Sequence, residues 1–188
     1  MIRSASVLAR AALVAAVSCA APSAWAAEVA GVTLPPTETV QGRQLQLAGC
    51  AAREELWMEL YALSLYLPPG TPTDAARIRD DGTAKLLRLD VTYDGRVPNG
   101  LPEDWARRLR DEVSREFMRT LRNQYNDLKG GDTVRISYVP GQGTTLAVNG
   151  TAVATRPGSE LMDSMLELWI GRDPVSGNMK RLLLSGPC

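Results

Sequence analysis

The sequence contains no histidine. That absence removes imidazole from every catalytic scheme and excludes the serine-histidine-aspartate triad, the cysteine-histidine pair and histidine-ligated zinc. An excess of charge of either sign is missing too. The 21 Lys and Arg balance 21 Asp and Glu, so the overall charge points to neither nucleic acid nor an anionic surface as partner. No glycine-rich phosphate loop follows a strand and the three cysteines lack metal-ligand spacing, so neither nucleotide nor metal is implied and no cofactor is expected. Any chemistry falls to arginine, carboxylates, hydroxyls, phenols or thiols. Internal repeats and low-complexity linkers are also lacking, and 188 residues with 45% hydrophobic content predict one well-packed domain.

Nor is there a long hydrophobic run. Arg3 and Arg10, the short apolar core Ala11 to Val17 and the small residues of Ala24-Trp25-Ala26 predict a cleaved export signal over residues 1–26 and a mature domain over 27–188. A membrane anchor would need roughly 18 uninterrupted apolar residues, and Pro22 intervenes. The mature chain is therefore expected in the periplasm with no transmembrane segment. Lipoprotein processing at Cys19 is the variant reading, on a box that lacks the usual leucine. Removal of Cys19 leaves Cys50 and Cys188, an even pair in an oxidising compartment, which invites a disulfide. The alternative is a buried Cys50 and a free Cys188 thiol.

The order of elements reads as α+β. Short strands at Val29 to Leu34 and Gln44 to Leu47 make an opening hairpin. The segment Leu56 to Leu67 is apolar on both parities, as in a central strand covered on both sides. Lys85 to Tyr93 alternates, with Leu87, Leu89 and Val91 against Arg88 and Asp90. Pro102 and the stripe Trp105, Leu109, Val113, Phe117, Leu121 and Tyr125 predict one long amphipathic helix. Its arginines are interleaved with Asp111, Glu112 and Glu116, a solvated and salt-bridged face. Strands over 133–139, 144–148 and 151–155 follow, the last two joined by Asn149-Gly150. Helices over 160–170 and 177–184 close the chain. Such an order places helices on one side of a mainly antiparallel sheet.

Arg53 stands at the mouth of the apolar segment. If the strand begins there, period two lines Arg53, Glu55, Trp57, Glu59 and Tyr61 along one face. A cation beside an apolar wall points to a pocket. Equally, Arg53 can pair with Glu55 or Glu59 and serve no function, since an exposed pair of this kind is worth only ~0.2–1 kcal/mol.

Several pieces, in order and with compatible spacing, carry a resemblance. They are Ala30-Gly31-Val32-Thr33-Leu34-Pro35, Leu47-Ala48-Gly49 leading into Arg53, Leu63-Ser64-Leu65-Tyr66-Leu67, Gly130-Gly131-Asp132 before Tyr138-Val139-Pro140-Gly141, and Leu166-Glu167-Leu168-Trp169-Ile170-Gly171-Arg172-Asp173-Pro174-Val175-Ser176. From about Val29 to Leu184 the chain resembles the chalcone isomerase superfamily, in particular its bacterial exported branch. The resemblance implies an open-faced β-sandwich, a large antiparallel sheet with a helical layer and a cleft between them. In the plant enzymes that cleft closes a chalcone to a flavanone, and Arg53 matches the arginine that steers the oxyanion, a role suited to guanidinium.

The other catalytic positions depart from the plant pattern: Tyr61, Trp105, Glu112 and Leu168 stand where that family has threonine, tyrosine, asparagine and threonine. A related branch binds fatty acids through an arginine and a tyrosine. By that likeness Arg53 and Tyr61 hold a carboxylate while Trp57, Leu63, Trp105, Leu109, Leu168 and Trp169 form an apolar lining. The same stripes also read as plain core packing. Three functions follow: a non-catalytic binder of a small apolar carboxylate, an isomerase acting on an unsaturated aromatic ketone with Arg53 and Tyr61 as its catalytic pair, and an envelope scaffold with protein partners the sequence does not name.

Overall fold

The computed structural model describes residues 26–188, except 56, 96–99, 111 and 112 and the side chains of 104 and 108. The expected leader, with Cys19, lies outside them save for Ala26, and so does Glu112. Two short strands, β1 (Ala27–Val29) and β2 (Val32–Leu34), form a small hairpin. A seven-stranded sheet then runs in chain order: β3 (Thr37–Val40), β4 (Arg43–Glu55), β5 (Met58–Leu67), β6 (Lys85–Val91), β7 (Thr133–Val139), β8 (Gly143–Val148) and β9 (Thr151–Arg156). Every neighbouring pair is antiparallel. The helices are α1 (Ala75–Arg79), α2 (Glu103–Leu109), α3 (Arg115–Asp127), α4 (Glu160–Ile170) and α5 (Gly177–Leu184). Among the described residues no helix is long and apolar enough to cross a membrane.

Strand periodicity sorts the two faces. Leu63, Leu65 and Leu67 of β5, Leu87 and Leu89 of β6, Ile136 of β7 and Leu146 of β8 point inward into the main core with α2 to α5. Alternate residues point outward: Tyr66, Leu86 and Val139 join Val40 and Leu45 in a smaller outer cluster. Beside it Arg88 binds Glu38 and Asp90, and Arg135 binds the other Glu38 oxygen, all at 2.8 Å. Burial opposes the charge of Arg88, but hydrogen bonds to Asp90 and Glu38 outweigh it and raise its pKa. Both faces of the middle strands are thus covered, as the two-parity apolar pattern predicts.

Two expected elements are each divided. The strand expected over Leu56 to Leu67 is β5, but it does not extend back to Arg53, which lies on β4, a separate strand that ends at Glu55. The long helix is two helices, because Ser114 caps α3 by accepting from the Phe117 amide at 3.2 Å, a stronger local preference than continuing the apolar stripe.

The closing helices are seated by close approach. A Cβ on Gly49 would lie 2.2 Å from the Leu183 carbonyl oxygen and 2.9 Å from its carbon, so α5 rests directly on β4. The Cys50–Cys188 disulfide, with Cα atoms 5.8 Å apart, fastens the tail beside that contact. Gly49→Ala forces backbone apart and is expected to cost ~1–3 kcal/mol, the range for overpacking. A thermal midpoint lowered by several degrees checks this; an unchanged midpoint means that α5 has room to slide.

Candidate functional site

The register around Arg53 builds the site. Arg53 on β4 pairs with Tyr61 on β5, but the next pair is Glu54 with Glu59, so Leu60 is left without a ladder partner. This one-residue bulge re-aims the strand. In a regular strand Leu60 and Tyr61 would face opposite sides; here both border the same cavity, together with Met58.

That cavity has a volume of about 720 Å³, within the ~300–1,000 Å³ of small-molecule sites. Its floor is the inner face of the sheet, from Arg53 and Tyr61 through Leu89, Val134 and Val148. Four strand spacings of ~4.8 Å make this span about 19 Å wide. The roof comes from α2, α3 and α4 through Trp105, Leu121, Tyr125, Met165 and Trp169. Polar groups on its wall include Arg53, Glu55, Glu103 and Arg107.

Arg53 is held at one side of this space. Its Nη1 donates to the Val175 carbonyl at 3.3 Å, in the connection between α4 and α5, and its Nη2 lies 3.8 Å from Glu55 Oε2. The arginine side chain is 24% exposed and that of Glu55 60%, so the ion pair is a loose rim contact that a better anion can replace. Five N–H donors in a planar fork leave the guanidinium capacity for a carboxylate.

Aromatic rings surround the Arg53 end. Trp105 meets Tyr61, Tyr125 and Trp169 edge to face, with centroids 6.3, 6.1 and 5.3 Å apart, a favourable geometry for such pairs. Trp169 is fully buried, and its Nε1 donates to the Tyr61 hydroxyl at 3.0 Å.

Of the residues the sequence nominates, Arg53, Tyr61, Trp105 and Trp169 share this cavity. Leu109 and Leu168, and likewise Leu63, are fully buried in the core and not on its wall. Trp57 is 85% exposed at the β4–β5 turn; the face it was assigned to exists only if the strand continues past Glu55. Sequence reasoning missed Glu55 as a wall residue, the bulged Leu60 and the far floor at Val134 and Val148. Alternation in β7 and β8 marks those two valines as inward, but core and cavity wall share that signal. Among the described residues no cluster of acidic or cysteine side chains is placed to hold a metal ion.

Compared with known proteins, residues 26–185 match a family profile described as chalcone isomerase-like. A crystal structure of a fatty-acid binding protein from Arabidopsis thaliana superposes with a TM-score of 0.59 at 18% identity, covering 82% of this chain and 92% of that one. At that identity the likeness is one of fold. No curated protein sequence matches.

Proposed function

Because this chain belongs to the chalcone isomerase-like family, we propose that it is a non-catalytic binder whose cavity holds a small apolar carboxylate such as a fatty acid, with Arg53 as the anchor. The observation that carries this reading is one tethered arginine on the wall of a mainly apolar 720 Å³ cavity. A guanidinium and a phenol on adjacent strands supply donors for the head group, while Leu89, Val134 and Val148 offer apolar surface to a tail. The fatty-acid binding protein that shares the fold supports the same ligand class. In this proposal residues 1–26 export the chain and are removed, and the 27–188 domain works in the periplasm, where a Cys50–Cys188 bridge persists.

The test is native mass spectrometry of the 27–188 protein purified from periplasm, before and after denaturation, with titration of a fluorescent fatty acid. A co-purifying acid and saturable binding are expected. An empty protein with no saturable binding overturns the reading; turnover of a chalcone would replace it with an isomerase.

A smaller effect follows from the rim pair. Glu55→Gln removes the carboxylate that competes for Arg53 and is expected to tighten fatty-acid binding by up to about fivefold, matching the ~0.2–1 kcal/mol of exposed pairs. The fluorescent titration reads this directly, and weaker binding would mean that Glu55 orients Arg53 rather than competes for it.

A further inference from the structure

We infer that the cavity selects its ligand by chain length, with Val148 as the residue that sets the limit. The inference rests on the binding reading above and adds to it a specificity. Strand register defines the path of the tail. Arg53 pairs with Tyr61, and Tyr61 with Val91. Two residues back on the same face of β6, Leu89 pairs with Val134, and Val134 pairs with Val148. A tail that starts at Arg53 and follows these wall residues crosses the sheet from β4 to β8. Four strand spacings of ~4.8 Å hold an extended chain of roughly 15 carbons.

The path has a dry middle and a wet end. Leu89, Ile136 and Leu146 of the floor and Leu121 above them are at most 7% exposed. Val134, Val148 and Gln124 of the wall are half-buried. The next strand, β9, gives the cavity no wall residue among the described ones. A methylene over the middle of the floor therefore leaves water fully, whereas one carried past Val148 meets water again and gains nothing. Affinity should climb with length and then stop, at the length that spans β4 to β8.

The probes are the even-numbered saturated acids from octanoate to eicosanoate, measured by displacement of the fluorescent fatty acid. On wild type each added methylene should tighten binding about fourfold, and the gain should cease between tetradecanoate and hexadecanoate. Val148→Trp fills one strand spacing of ~4.8 Å and should move the break about four carbons shorter, with octanoate binding unchanged. Ala147→Trp, one residue away on the opposite face of β8, should leave the wild-type series intact. A gain that continues past octadecanoate or stops by decanoate overturns the inference, and so does an unmoved break in Val148→Trp.

A second measurement needs no variant. A nitroxide near the methyl end of hexadecanoate should broaden the Val148 methyl signals in the NMR spectrum, and one beside the carboxyl should not. The opposite pattern overturns the inferred direction of the tail and the limit with it. If no acid of any length binds wild type, the binding reading itself falls; if acids bind without a break, only the length limit falls.

Discussion

Arg53→Met is expected to weaken fatty-acid binding by about 10- to 150-fold, corresponding to the ~1.5–3 kcal/mol of hydrogen bonds to charged groups. Methionine keeps an unbranched apolar stem of similar reach, so the loss reports the guanidinium rather than the wall. Stability should change little, because the side chain's own contacts are a long 3.3 Å bond to the Val175 carbonyl and the loose pair with Glu55. The control is the methyl ester of the same acid, which lacks the charge. Wild type should prefer the free acid strongly, and Arg53→Met should bind acid and ester about equally. If the variant keeps the preference, the anion is held elsewhere, and Arg107, the other arginine on the cavity wall among the described residues, becomes the residue to replace.

The second large effect concerns the tail. Cys188→Ser opens a crosslink between residues 138 apart in sequence, and loss of a native disulfide costs ~2–5 kcal/mol. For a chain of this length that is a fall of roughly 5–20 °C in thermal midpoint, at about 2–4 °C per kcal/mol. Reductant should lower the wild-type midpoint to that of the variant and leave the variant unmoved. A variant as stable as wild type would mean that the packing of α5 over Gly49 already holds the tail.

Much of the fold could be read from residues. The Asn149-Gly150 hairpin is present, with both residues at the positive φ that such a turn needs, 49° and 80°. Strands β7 to β9 and helices α4 and α5 follow the expected spans closely, because their ends carry turn glycines, prolines and, at α5, the capping Ser176. The β4–β5 turn carries none of these. Between Glu55 and Met58 the sequence reads Leu-Trp, whose chemistry is that of a strand, so two strands read as one continuous segment.

The α2–α3 break was hidden for a related reason. Apolar residues at every fourth position across 105–125 describe an unbroken helix whether or not Ser114 interrupts it. Within the site, Arg53 and Tyr61 were legible because a cation and a phenol beside an apolar run are unusual. Trp105 and Trp169 on the wall and Leu109 and Leu168 in the core carry the same hydrophobic signal. Only the seating of α2 and α4 over the sheet tells them apart.

Sheet order and chain order coincide from β3 to β9, so each strand of the cavity floor pairs with its neighbour in sequence, across α1 between β5 and β6 and across α2 and α3 between β6 and β7. The carbonyl that tethers Arg53 belongs to Val175, 122 residues downstream. The apolar trough is thus built from chain that precedes the residue completing its anion-binding end. A chain emerging from its N-terminus would meet hydrophobic ligands first and acquire the ability to tell acids from oils only when its last turns of helix dock.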